Sequence, residues 1–335
     1  MDGNSYQATG RTGRRAMLGL AAGLGAAAAT RAEAQGAWPQ RPVRIVVPLA
    51  AGGPTDIQAR VVGEKLSAKW GQPVVVENRL GAGGTIGSNQ VARAEPDGHT
   101  LLIHGSAHVT NATLFPTLPY HPVTDFSPII GISFQPMILT VHPSLQARNL
   151  AEFVALARAR PETISAGIAG VGNISHLAGV LLEQQAGIKL LTVPFAGSSQ
   201  AQTALLGGQI NCSFLNSTGA TPVIRDGSLR GLASTSAARW RELPDLPTVA
   251  EQGFPGFAAE SWHAVVLRAG TPRELVRRWS AEVVRAVREH PDVRAALEAA
   301  GGTVVASSPE QFADYHRNEL ARWRKVMKAA DLKPQ

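Results

Sequence analysis

The chain has a single cysteine, Cys212, in 335 residues. That excludes an internal disulfide, a thiolate zinc site and an iron–sulfur cluster. Cys212 itself reads as a small buried apolar residue. Aromatic residues make up only 5% of the chain and charged residues 17%, against 44% hydrophobic. This balance is too apolar for disorder. No run of about 20 apolar residues occurs, so no helix that spans a bilayer is expected. A stripe of one charge sign is also missing. The net charge is +7, yet 13 basic and 9 acidic residues lie beyond residue 267, and the middle of the chain is almost neutral. No nucleic-acid partner is expected from such a distribution.

Glycine and proline are plentiful, 34 and 22 residues, about one position in six. Many tight turns follow. The length fits about two domains. Residues 1–34 read as an export signal: Arg14 and Arg15, an uncharged apolar stretch over 16–30, then Ala32-Glu-Ala34 as a cleavage site. The apolar stretch is too short for a membrane span. The paired arginines point to the twin-arginine route, although Gly13 and Met17 depart from its usual pattern. The general secretory route is the alternative. Either way the mature chain is expected to work in the periplasm.

Beyond the signal, short apolar runs alternate with helical patterns. Val43–Val47, Val74–Val76 and Thr100–Ile103 read as strands. Helical periodicity runs through Ile57, Val61, Val62, Leu66 and Trp70, and again through Ile86 and Val91. The rhythm restarts after Pro136, with strands at 137–141, 164–166, 190–193, 210–215 and 229–233 and helices between them. The last 65 residues or so are mostly helical. This β-loop-α order predicts an α/β fold with parallel sheets.

The chemistry lies where strands turn into helices. Gly52-Gly-Pro-Thr-Asp56, Gly81-Ala-Gly-Gly84, Gly170-Val-Gly-Asn-Ile-Ser175 and Gly197-Ser-Ser199 each follow a strand and open a helix. Asn216-Ser-Thr-Gly219 is a weaker fifth. A helix start offers unpaired N–H groups and a partial positive charge, and glycine lets a ligand approach the backbone. In open α/β sheets ligands collect at the carboxyl ends of the strands. A small anion held between two halves of the chain is the expectation. Used singly, each turn could serve only as an N-cap. A P-loop, a G-x-S-x-G elbow and a dinucleotide fingerprint are absent. His104 and His108 are four apart, but Leu101–His104 reads as a strand running into a loop, so no metal is expected there. His176, at a helix start, reads as a structural hydrogen-bonding residue.

The segments Trp38–Pro48, Gly52–Asp56, Gly71–Arg79, Gly81–Gly84, Pro96-Asp-Gly98, Ser175–Gly179, Val193–Ser198 and Leu243–Glu251 resemble the Bug family. These are TctC-like periplasmic solute-binding proteins of tripartite tricarboxylate transporters. The resemblance covers 38 to about 332. It implies a two-lobe binding protein of type II character with a ligand cleft between the lobes, no catalysis and no cofactor. The implied lobes are 38–136 plus 262–335, and 137–261. The implied partners are a small organic anion and membrane transporter subunits, and the chain is expected to be a monomer. The implied ligand contacts in the first lobe are Gly53, Thr55 and Asp56, then Ala82 and Gly83, then Ser106 and His108. In the second lobe they are Asn173, Ile174 and Ser175, then Gly197 and Ser198, then Asn216. Asp56 takes the place of the family's water-organising acid. Pro54 stands where the family commonly has glycine, and an acid common near Phe214-Leu215 is missing. Pro54 removes one backbone donor and stiffens the turn, and the missing acid favours a plain or aromatic carboxylate over a ligand with an ammonium group. A sensing module for a signalling partner and an exported enzyme on the same scaffold are the alternatives.

Export by the twin-arginine route has a direct consequence. Arg14→Lys combined with Arg15→Lys should leave uncleaved precursor in the cytoplasm, seen by fractionation and immunoblot. Normal processing of that double variant would remove the twin-arginine assignment.

Overall fold

The computed structural model describes residues 38–115, 117–300 and 302–332. The export signal expected over 1–34 lies outside them. Pro42–Gln335 makes one compact unit. No helix among the described residues is long and apolar enough to cross a membrane.

The first segment follows the expected rhythm. Strand β1 (Val43–Val47) leads into helix α1 (Pro54–Trp70), β2 (Val74–Asn78) into a 3-10 turn (Ala82–Gly84) and α2 (Thr85–Ala92), and β3 (Thr100–Gly105) into α3 (Ala107–Leu114). Pro54 starts α1, where a missing N–H costs nothing and the fixed φ helps. Gly71 ends it in the left-handed region at φ 64°, its N–H bonded to the Ser67 carbonyl. β1 pairs in parallel with β2 and β3, and β3 is buried along nearly its whole length.

A long strand, β4 (Phe126–Val141), follows. Then come α4 (Leu150–Ala159), β5 (Ser165–Ile168), α5 (Ile174–Ala186), β6 (Leu191–Pro194), α6 (Ser198–Leu206), β7 (Cys212–Asn216), α7 (Ser217–Arg225) and β8 (Arg230–Ser234). β9 (Glu260–Arg268) returns alongside β4 before α8 (Arg273–Glu289), α9 (Pro291–Ala299), β10 (Thr303–Val304) and α10 (Pro309–Ala329). The sheet runs β2-β1-β3-β9-β4-β7-β5-β6, with β8 and β10 also on β4. One strand thus belongs to both halves: residues 126–136 of β4 pair with β9, and 137–141 pair with β7 and β8.

The expected strands and turns are present, and Cys212 is fully buried. Three elements were not foreseen. The first part of β4 escaped because Pro128 and Pro136 interrupt its apolar pattern, and β9 was expected only as the lobe boundary at 261–262. α3 escaped because its Val and Thr residues do not read as helical. The C-terminal helices pack back onto the first half. α8 and α9 cover α1, and α10 lies on β4 and α3 while also reaching α5.

A buried carboxylate fixes α10 in place. Glu319, 3% exposed, accepts from the indole N–H of Trp262 at 3.1 Å and of Trp323 at 2.9 Å. Removing one donor leaves a buried charge short of a partner, which typically costs about 1–3 kcal/mol. Trp262→Phe and Trp323→Phe should each lower the urea midpoint by a corresponding amount with an unchanged m-value. Unchanged midpoints for both would show that Glu319 does not anchor the helix.

Candidate functional site

Strand direction decides where the turns go. β9 runs against β3, and β4 runs against β9, so β4 runs with β1, β2 and β3. β7 runs against β4, and β5 and β6 run with β7. The carboxyl ends of β1–β3 therefore point toward the second half, and those of β5–β7 point back. Gly105, at the end of β3, lies level with His263 and through it with Ser133 on β4. Asn216, at the end of β7, pairs with Met137. Four residues of β4 separate these levels, about 13 Å along an extended strand.

The sequence-predicted residues all follow these strand ends. Gly53, Thr55 and Asp56 follow β1; Ala82 and Gly83 follow β2; Ser106 and His108 follow β3. Asn173, Ile174 and Ser175 follow β5, Gly197 and Ser198 follow β6, and Asn216 closes β7.

Contacts link the turns into one rim. Pro48, at the end of β1, lies against Gly84, where a Cβ would stand 3.2 Å from its ring. Asn111 of α3 donates to the Gly83 carbonyl at 2.9 Å. Leu114, one turn further along α3, presses on Gly172, where a Cβ would fall 2.2 Å from the leucine Cδ1. That contact joins the first half to the turn that opens α5. Gly172 has φ +73° and is buried. It is therefore one point where the halves touch, and its own N–H is bonded to Nδ1 of His176 at 3.1 Å. His176 is structural, as expected. Asn111 and Leu114 were missed because the helix carrying them was missed.

The turns differ in what they leave free. Asn173 caps α5 by accepting from Ser175 N at 3.0 Å, and the Ser175 hydroxyl accepts from Ala169 N at 3.0 Å. Ile174 is buried; Asn173 is exposed. Gly197 is the N-cap residue of α6 without a side-chain cap, and Ser198 and Asn216 are half-buried. Ala82 sits at φ 45°, a left-handed conformation that costs a non-glycine residue about 1–2 kcal/mol. Gly83 and Gly84 continue it at φ 63° and 94°. Backbone strain of this kind concentrates at functional sites.

Two residues behave differently from the expectation. The Asp56 carboxylate is fully engaged by the protein. Arg60 holds it through two bonds of 2.9 and 3.0 Å, Asn78 donates at 2.9 Å and Gly52 N at 2.9 Å. These bonds, the Arg60 pair first, hold its carboxyl down at about 2. Asp56 builds the turn; an oxygen free to organise water is not left over. His108 is likewise withdrawn from ligand contact. It is 3% exposed, with Nδ1 at 3.2 Å from the Ser88 hydroxyl and Nε2 at 3.0 Å from the Pro122 carbonyl. Burial pushes its imidazole down to about 4, so the ring is neutral at neutral pH.

The family model "Tripartite tricarboxylate transporter family receptor" matches residues 58–332. The chain belongs to this family. BugT of Bordetella pertussis is 34% identical over 88% of this chain and 91% of its own. Among solved structures, the R. palustris protein Rpa4515 with adipate has a TM-score of 0.76 at 35% identity, covering 89% of this chain and all of that one (100%). MatC from Rhodopseudomonas palustris with bound malate has a TM-score of 0.72 at 34% identity, covering 86% and 99%. The fold of this family member is thus the two-lobe fold of periplasmic binding proteins.

The Asp56 network gives a pH signature with a definite sign. The folded carboxyl, at about 2, lies below the ordinary aspartate value of 3.8. Its contribution to stability is present above about pH 4 and is lost as the pH falls toward 2. Asp56→Ala should be less stable than the parent at pH 7, with the gap narrowing between pH 4 and 2 in urea melts. A gap independent of pH would show that the charged network adds nothing.

Proposed function

We propose that this receptor captures a small organic anion carrying one or more carboxylates and hands it to a tripartite tricarboxylate-type transporter in the membrane. The protein works as an exported periplasmic monomer. It performs no catalysis: ligand leaves unchanged. The lobes are 38–136 with 262–335, and 137–261.

The observation that carries this reading is the opposition of two sets of strand carboxyl ends across a short stretch of β4. Each set ends in helix starts whose first N–H groups have no partner within the helix. A dicarboxylate can lay one carboxylate on each set. Turns after β1 and β2 supply the first set, around Gly53, Thr55, Ala82 and Gly83. Turns after β5 and β6 supply the second, around Asn173, Ser175 and Ser198. The Arg60 guanidinium is already committed to Asp56, so dipoles and hydroxyls do the holding. Contacts with both lobes exist together only when the lobes are closed, so ligand shifts the population toward closure. The Leu114–Gly172 contact belongs to that closed state.

Adipate and malate are the ligands named with two of the similar structures, and C4–C6 dicarboxylates are the first candidates here. In a thermal-shift panel of di- and tricarboxylates and aromatic acids, a true ligand at about 100 times its Kd should stabilise by about 2.7 kcal/mol. By calorimetry, Ser198→Ala should weaken that ligand roughly tenfold, the loss of one hydroxyl donor. Gly172→Val should weaken it more, because the added side chain holds Leu114 off. A panel with no stabilising carboxylate, or consumption of the ligand, would sink the reading.

A further inference from the structure

Three histidines meet in the core of the first half, outside the turns described above. His104 ends β3, His108 lies in the first turn of α3, and His316 projects from α10. They are 1%, 3% and 1% exposed. One ring nitrogen from each lies within 4.8 Å of those of the other two. Ring centroids are 4.2 Å apart for His104 and His108, 5.4 Å for His104 and His316, and 5.7 Å for His108 and His316. Aromatic rings enclose the group: Trp262 stands edge-on to His104 at 5.4 Å, and Phe312 stacks on His316 at 5.3 Å.

The hydrogen bonds around this trio are incomplete in a particular way. Nδ1 of His104 is near the Gly105 carbonyl at 3.4 Å, while its Nε2 is buried without a partner. Nε2 of His108 meets the Pro122 carbonyl at 3.0 Å, which leaves Nδ1 facing only the Ser88 hydroxyl at 3.2 Å. Neither nitrogen of His316 has a partner, and both are buried. Orphaned buried polar atoms are uncommon and each typically costs about 1–3 kcal/mol. Nε2 of His104 and both nitrogens of His316 are thus spare, and Nδ1 of His108 has only a hydroxyl to release, in a group with one ring nitrogen of each residue within 4.8 Å of the others; Leu or Phe would fill the same space without that cost. His104 has Nδ1 beside a backbone carbonyl with Nε2 bare, and His108 has Nε2 on a backbone carbonyl; holding one ring nitrogen in this way is how proteins orient a metal-binding imidazole.

We propose that His104, His108 and His316 form a buried site for a divalent first-row cation of the zinc type. The ligands are Nε2 of His104, Nδ1 of His108 and one nitrogen of His316. Imidazole ligands suit zinc and its neighbours better than magnesium or calcium. On a tetrahedral zinc, whose fourth position a water would take, bonds of 2.0–2.1 Å put the ligand nitrogens about 3.4 Å apart, so the trio need close up by only about 1.4 Å at most. The Ser88 hydroxyl then gives up its contact with His108. The ion would tie β3, α3 and α10 together, and α3 is the helix that carries Asn111 and Leu114 to the rim. The site is therefore structural, and its test does not depend on the solute.

Untagged protein, stripped with chelator and reloaded, provides the test. Zinc should return at about one ion per chain by mass spectrometry and raise the Tm. Cobalt in its place should give the intense visible bands of a tetrahedral site, bleached by zinc. His104→Gln and His316→Gln should each lose the ion, whereas His290→Gln, at an exposed position, should keep it. A stripped parent chain that takes up no stoichiometric zinc, or shows only octahedral cobalt, overturns the proposal. So does full uptake in both glutamine variants. The cobalt spectrum needs only the parent chain, so misfolding of a variant leaves the test intact.

Discussion

Everything about the rim depends on β4 being continuous. Sixteen residues of one strand serve two sets of neighbours, and each set is aligned by hydrogen bonds to the same backbone. Because β3 is antiparallel to β9 and so runs with β4, while β7 runs against β4 and carries β5 and β6 with it, the parallel strands on either side point at each other. The helix starts follow as a consequence of where strands end. β9 doubles the connection by pairing with β4 from Pro136 back to Phe126. The ladder on β4 slips in register between Pro128 and Ile130, Gly131 and Ser133, and Leu139 and Thr140.

The parallel parts of the fold were readable from the chain because each strand there is a short β-branched run followed by a glycine turn and a helical stripe. The turns at 52–56, 81–84, 170–175 and 197–199 came out in the right places for the same reason. The element that holds them in opposition did not. β4 contains Pro128 and Pro136, and prolines demote a strand in any reading of local pattern. In the structure the ladder slips in register beside Pro128, and Pro136 pairs with Glu260 at the beginning of β9.

Individual site residues were less readable than the turns that carry them. Asp56 was visible as an acid in a glycine loop, but its partners are four and 22 residues further along, and only folding shows that Arg60 and Asn78 consume it. His108 looked like a polar residue after a strand. The start of α3, unrecognised because of its valine and threonines, turns that side chain into the core beside His104 and brings it to His316, more than 200 residues away. Spacing alone could not report a third ring contributed by the C-terminal helix.

The pairing of Asp56 with Arg60 also sets the range over which the site can be felt. A free guanidinium would project a monopole field to about a Debye length, roughly 8 Å in physiological salt. With that charge cancelled locally, helix dipoles and hydroxyls remain at the rim, and their field dies away within the first turn. An approaching anion would be sorted at contact, by the spacing of donors, with little electrostatic guidance on the way in.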